Sequence, residues 1–497
     1  MGGIPTAASE LGASARRTRV PGSLTLAVGL CLYAFLLLAG NRLLNDPDSY
    51  WHLVVGRWIA EHRAFPVADP FSFTTNGAHW IAKEWLSQIL YAGAFAIGGW
   101  SGMVVLAAAA IALAFALLTR FLADELAPLP VICLIAVAFA IVAPHAVARP
   151  HALSLPVMVA FVGGLVRAVD RDHRPSLWLM PLMVLWANLH GGFTLGLVLT
   201  VAAGLDAVVG AAAGERWRVA RAWTGFAAAA LVAACITPYG PESILVTFRV
   251  LGLGPALSII GEWRPADFSR LGGLELSLLA GTGLALRFRV GLPPVRIVVV
   301  LGLLHLGLSA ERNGELLGLL VPLFLARPIA RQFPNLAPAG PTTIAATRSL
   351  ALHGVIAVAI AVTATSAILA LLHYAPNPRV SPEAAVAALR QTGERRVLND
   401  YDFGGYLVYA GLPPFIDGRT ELYGGDFMLR HHRAVTLADL PDFLRLLDEY
   451  RIGATLLAPQ TPAVAFLDRL PGWRRIYGDD IAVVHQRTGI GDQKLNP

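Results

Sequence analysis

The sequence predicts an α-helical polytopic membrane protein of about eleven spans, with a small α/β domain at its C-terminal end. Three observations lead there. Charged residues make up only 14% of the 497, against about 25% in an ordinary soluble chain. Hydrophobic residues reach 56%, and mean hydropathy is +0.59. Apolar runs at 24–38, 104–118 and 355–372 carry almost no charge over lengths near the ~20 residues that cross a bilayer. In lipid each backbone amide must be satisfied within its own segment, which makes such runs helices. The alternating ten-residue segments of a β-barrel do not occur.

Taken in order, Arg16, Arg17 and Arg19 precede the first apolar run, and no small-residue cleavage site follows it. This reads as an uncleaved signal anchor with a cytoplasmic N-terminus. A first span at 23–41 is followed by a polar, aromatic first external loop, 42–100, with a short helix near 84–97 at the interface. Further spans fall at 101–121, 129–147, 152–169, 175–190, 192–212, 222–237, 271–287, 293–309, 314–331 and 349–373. Every second loop is basic: Arg167, Arg171 and Arg174; Arg216, Arg218 and Arg221; Arg287, Arg289 and Arg296; Arg327, Arg331 and Arg348. The positive-inside rule puts these loops in the cytoplasm. Parity then makes 1–374 the transmembrane part and sends 375–497 outside, into the periplasm beyond a bacterial inner membrane if the cell is Gram-negative.

Beyond Pro376-Asn377-Pro378 charge density rises. A helix is expected over 380–391, with Ser381 as cap and Pro382 in the first turn. Apolar runs at 396–398, 414–416, 454–457 and 481–485 alternate with helical stretches at 437–450 and 462–470, the pattern of a small α/β domain.

The net charge of +6 comes almost wholly from loop arginines, so it orients the chain and does not mark a nucleic-acid partner. Cys31, Cys133 and Cys235 lie inside apolar runs with neither disulfide nor zinc spacing. The phosphate-binding loops of nucleotide enzymes and the His-Glu-x-x-His of zinc proteases are missing from the sequence.

The loops on the expected outer side are different. They gather Asp46, Asp48, His52, His79, Lys83, Glu84, Arg149, His151, Asn188, His190, Glu262 and Arg312. Ionisable groups at helix ends on one side of a bundle point to one functional site at that boundary. Asp46 and Asp48 flank Pro47; in an extended Asp-x-Asp the side chains share a face. Such a pair can act as general base or hold a divalent cation, magnesium or manganese. The competing reading makes Asp48 the cap of a helix starting near Tyr50. Arg149 and Arg312 offer forked donors suited to phosphate oxygens, or else snorkel to headgroups. His190 sits in a tight break before Gly191 and Gly192, and Trp80 and Trp85 read as interfacial belt residues. In the tail, Asp417-Gly418-Arg419-Thr420-Glu421-Leu422-Tyr423 follows a predicted strand, where α/β domains bind ligands. Asp417, Arg419, Glu421 and Tyr423 are therefore acceptor-side candidates, with an Asp417–Arg419 structural pair as the alternative.

The string Asp46-Pro47-Asp48-Ser49-Tyr50-Trp51-His52, with Asp69-Pro70-Phe71-Ser72, Glu84-Trp85-Leu86, the Asn188-Leu189-His190-Gly191-Gly192 turn and the Glu262-Trp263-Arg264-Pro265 loop, resembles bacterial membrane proteins of the GT-C glycosyltransferase superfamily. Relatives in that group include protein mannosyltransferases, aminoarabinose transferases and rhizobial core transferases. The resemblance implies a polyprenyl-phosphate sugar donor, an inverting transfer, and an acidic residue in the first external loop as base or metal-linked group. That role falls on Asp46 or Asp48, although the Asp-Glu pair of the mannosyltransferases is missing. Implied partners are the lipid-linked donor, membrane lipids, and a glycan, lipid or protein acceptor. Two other classes stay open: a polymerase or ligase of surface polysaccharide, and a non-catalytic transporter or assembly protein.

Overall fold

The structure is a computed structural model describing residues 22–171, 174–338 and 346–488. Arg16, Arg17 and Arg19, and with them the expected N-terminal orientation signal, lie outside the described residues. The fold is mostly helical, with a small mixed sheet toward the C-terminus.

Each expected span holds a helix. Among the described residues five are long and apolar enough to cross a membrane: Trp85–Leu122, Pro128–His145, Pro150–Arg171, Phe193–Gly210 and Glu311–Gln332. Ser23–Leu38, Leu177–Leu189 and Pro294–Ser309 are apolar but shorter, and Ile356–Leu371 is an apolar stretch of the longer helix Ala346–Leu371. Helix Arg216–Ala234 opens on Arg216, Arg218 and Arg221, and Gly273–Phe288, 16 residues long, carries Glu275 and Arg287; neither is as apolar as these. Helix Phe193–Gly210 is apolar on both sides. Leu199, Ala203 and Ala207 face the core, while Val198, Val201, Leu205 and Val209 face out. An outward row of that kind suits lipid contact.

The expected interfacial helix and the following span are two arms of Trp85–Leu122, broken at Gly98 and Gly99. Gly99 has φ 57°, a backbone state that L side chains avoid. The chain then folds back so tightly that a Cβ on Gly102 would strike the Ala94 carbonyl. The second arm packs Val104, Ala107, Ala108, Ile111, Phe115 and Leu118 into the main core, against helices Gly22–Leu38 and Pro150–Arg171. At the far end of the bundle the buried Arg296 reaches Asp170 at 2.5 Å and Asp206 at 2.8 Å.

The sheet runs β1 (Val397–Asn399), β2 (Ala454–Leu457), β4 (Val483–Arg487), β3 (Trp473–Gly478). The β1–β2 pair is parallel, Leu398 opposite Thr455, and the others are antiparallel. The run at 454–457 is the strand expected. The run at 414–416 is not: Pro414 makes one isolated bridge to Val397, as a residue without an amide proton would. Strand β3, with exposed Arg474 and Arg475, escapes a search for apolar runs. Helix Glu383–Gln391 starts later than expected, and no side chain caps it. The Ser381 hydroxyl instead meets Tyr50 Oη at 2.5 Å and donates to the Asn377 carbonyl.

The first loop and the C-terminal region are interlocked. Thr74 Oγ1 donates to the Phe415 carbonyl at 2.7 Å, and Phe73 N to that of Pro414 at 3.3 Å. Gly405 lies on the Pro47 carbonyl and Gly418 on the Asp48 carboxylate, both so close that a Cβ would clash. The C-terminal region thus packs on the Asp46–Asp48 turn through the helix at Gly405 and the loop at Gly418.

Candidate active site

Asp46 Oδ1 accepts a hydrogen bond from Asp48 N at 2.8 Å, an Asx turn that launches helix Asp48–His62. Asp48 is therefore the first helical residue rather than its cap, and the Asp-x-Asp segment is not extended. Its carboxylate lies at the helix N-terminus, where negative charge is favoured. The two carboxylates still converge, on Arg149. Nη1 donates to Asp46 Oδ2 at 3.0 Å and Nη2 to Asp48 Oδ2 at 2.8 Å. The backbone beneath is pinned: Ala148 N donates to the Leu43 carbonyl, Ser49 Oγ to that of Ala148, and Tyr91 Oη to that of Arg149.

A third carboxylate completes the group. Glu262, on the 3-10 turn Gly261–Trp263, accepts from Arg149 Nη1 at Oε2 and from Arg312 Nη1 at Oε1, both at 2.7 Å. Arg312 also stacks over the Trp263 ring, 4.7 Å from its centroid. Burial pushes Asp48 up to about 7, Arg149 opposing it while Asp46 and Glu262 add to the rise. Asp46 is raised too, mainly by burial. Burial works on Glu262 in the same direction, but Arg149 and Arg312 outweigh it and hold that carboxyl at about 2.

Behind this group lies a second one. Glu84 is buried between His190 Nε2, 3.5 Å from Oε1, and His52 Nε2, 3.7 Å from Oε2. His190 Nδ1 accepts from Gly192 N at 3.2 Å, so in the neutral ring the proton is on Nε2, facing Glu84. His151 stands 6.2 Å from His190 ring to ring and 3.7 Å from Glu315. Burial raises Glu84, Lys83 opposing and Glu421 adding to it. Lys83 bonds Glu421 at 2.6 Å. Sequence reasoning misses Glu315, which looks like any acidic first-turn residue. Lys83 stands among the outer-loop residues, but its partner lies 338 residues away and is not legible there.

Asp46, Asp48, His52, Glu84, Arg149, His151, His190, Glu262 and Arg312 are thus brought together. Others are not. His79 is exposed and pairs with Glu242 at 2.6 Å. Asn188 is saturated, accepting from Trp85 Nε1 and donating to the Val184 and Ile236 carbonyls. Asp417, Arg419 and Tyr423 are closed off. Arg419 donates to Asp417 through Nε (2.8 Å) and Nη2 (2.6 Å) and to Asp69 through Nη1 (2.6 Å), and Tyr423 Oη donates to Asp417. Both ion-paired side chains are 0% exposed, so these residues cannot touch an acceptor here. Trp80 is no belt residue either; it is buried over Arg419.

The donor set does not fit a divalent cation. The Asp46 and Asp48 oxygens that would face a metal hold the Arg149 guanidinium, and no cluster of three His, Cys, Asp or Glu ligands forms among the described residues.

Two hollows are lined by chain neighbours of the site residues. An apolar groove of about 440 Å³ runs between Trp85, which follows Glu84, and Val184, Leu185, Asn188, Ile236 and Pro238. A polar cavity of about 810 Å³ opens at the C-terminal ends of β1 and β2, between Asp400, Tyr401, Asp402 and His431 on one wall and Gly261 and Arg264 on the other.

No family model and no curated protein matches this sequence. Among solved structures, the archaeal oligosaccharyltransferase AglB from Archaeoglobus fulgidus, in complex with an inhibitory peptide and a dolichol-phosphate, is similar with a TM-score of 0.48. Identity is 13%, covering 87% of this chain and 69% of that one. ArnT from Cupriavidus metallidurans, bound to undecaprenyl phosphate, is similar with a TM-score of 0.46. Identity is 14%, covering 93% and 97%.

Proposed function

We propose that this chain is a membrane glycosyltransferase that moves a sugar from a polyprenyl-phosphate donor to an extracytoplasmic acceptor. One observation carries the reading. Two arginines and three carboxylates form one ion-paired cluster; Gly261 and Arg264, on either side of Glu262 in the chain, line the polar cavity, and Trp85, next to Glu84, lines the apolar groove. The groove suits an isoprenoid chain, and the cavity, with its carboxylates and Tyr401, suits a hydroxyl-bearing acceptor. The sequence strings around Asp46, Glu84 and Glu262 resemble the same class.

In this mechanism the acceptor hydroxyl attacks the anomeric carbon from the side opposite the phosphate, with inversion. Its proton passes to Asp48, whose affinity for protons is raised into the range where a general base works near neutral pH. The glycosidic C–O bond breaks, and its electron pair leaves with the lipid phosphate. Arg149 and Arg312 take up the charge that grows on that phosphate. Residues 375–497 form the extracytoplasmic domain that roofs the reaction, in keeping with the loop charges.

The direct test uses full-length protein in lipid nanodiscs with a radiolabelled polyprenyl-phosphate sugar and a cell-envelope glycan fraction. Wild type is expected to transfer label, and Asp48→Asn to lose roughly 10²–10⁴-fold in rate. Equal transfer by Asp48→Asn and Asp46→Asn would rule this mechanism out.

A further inference from the structure

Glu262 differs from the other two carboxylates on Arg149. Asp46 and Asp48 belong to one rigid turn, and their side chains are 14% and 13% exposed. Glu262 comes from a separate 3-10 turn and is 30% exposed. It is also the group that joins Arg149 to Arg312, one oxygen to each. Apart from that contact and the Trp263 ring, the Arg312 side chain makes no protein hydrogen bond or ring contact among the described residues. A guanidinium has five donors, so most of its capacity is unspent.

An anion with one oxygen on each of two guanidinium groups is the arrangement a phosphate ester would adopt there. Room to leave exists as well. Ile260, Gly261 and Arg264, around Glu262, line the polar cavity, and the exposed cations Arg264 and Arg379 wait on it.

We propose that Glu262 is a displaceable stand-in for the donor phosphate, neutralising Arg149 and Arg312 in the empty enzyme and swinging toward the cavity when a phosphate ester takes its place. The inference rests on the transferase reading above and adds an internal competitor to it. The seat then stays closed to weak anions, and the leaving lipid phosphate is pushed out as Glu262 returns.

Removing the competitor should tighten binding, the reverse of what losing a ligand-binding residue does. The experiment measures equilibrium binding of undecaprenyl phosphate, undecaprenol and inorganic phosphate to the full chain in nanodiscs, for wild type, Glu262→Gln, Glu262→Asp and Arg312→Ala. Glu262→Gln should bind undecaprenyl phosphate about tenfold more tightly than wild type, with no gain for undecaprenol. Arg312→Ala should bind it more weakly. Glu262→Asp, too short to span both arginines, should fall between and keeps the test alive if the Gln variant fails to fold. If wild type binds undecaprenyl phosphate and the Glu262 variants bind it equally or less well, the stand-in role is wrong and the transferase reading survives. If no variant prefers undecaprenyl phosphate to undecaprenol, both fall. If Glu262→Gln holds inorganic phosphate as tightly as the lipid, the ligand is free phosphate and the lipid assignment is overturned.

Discussion

Arg419 and Arg149 are each a guanidinium drawn out of water and ringed by carboxylates, but their surroundings diverge. Arg419 is 0% exposed, lies near the Phe71 and Trp80 rings, and donates to Asp417 and Asp69. Asp69 in turn takes hydrogen bonds from Phe71 N, Ser72 N and Thr75 Oγ1. The group is complete and inaccessible. Arg149 is 13% exposed and faces three carboxylates, one of which, Glu262, is 30% exposed and flanked by residues that line the polar cavity. Buried charge that is fully paired fastens a structure, whereas charge left crowded beside open space is available for chemistry.

Substitution should separate the two most sharply at Arg419. Arg419→Ala strands Asp69 and Asp417 in the interior and should cost about 3–5 kcal/mol, read as a fall in the thermal midpoint of detergent-solubilised protein. A midpoint within a degree or two of wild type would dissolve the contrast. At Arg149 the order reverses. Arg149→Lys keeps a charge but loses the fork; transfer should drop at least about tenfold while the midpoint moves far less than in Arg419→Ala.

Much of the fold was legible because a span needs only an apolar stretch of the right length, which one chain states plainly. The 454–457 strand was readable for a similar reason, being a continuous buried run. Glu262 meets Arg149 across 113 residues and Arg419 meets Asp69 across 350, and no local pattern encodes such meetings. The Asp46–Asp48 turn shows the boundary well. Residue types and the proline marked the place, but an extended geometry was expected where an Asx turn forms, because the partner that settles the conformation is distant. Polar spacing likewise cannot tell a sealed pair from an open one, which is why Asp417 and Arg419 looked available.

A smaller effect comes from the Lys83–Glu421 bond, which ties the first loop to the C-terminal region beside both clusters. Lys83→Met leaves Glu421 buried without its cation, and should lower stability by about 1–3 kcal/mol, with the Glu421→Gln, Lys83→Met double variant recovering part of it. Additivity in that double-mutant cycle would mean the pair is not coupled.

The smallest is a pH effect at Asp48. Its folded value of about 7 lies above the ordinary 3.8, so between those limits the folded state binds more protons than the unfolded one. Stability from this residue is greatest below about pH 4 and is lost as pH rises toward 7. Asp48→Asn should flatten that part of the stability–pH curve, and a curve with unchanged slope would argue against the shift.

The joining of Asp69 to Arg419 also sets a schedule. Synthesis proceeds at about 5–20 residues per second, so the arginine is made roughly 18 to 70 seconds after its aspartate, 350 residues earlier. Through that interval Asp69 lacks the cation it pairs with. The residues that meet at Arg149 are all made by the time Arg312 is, but Gly418, which packs on the Asp48 carboxylate, comes only with Arg419, so the cover over that turn is laid down long after the cluster beneath it.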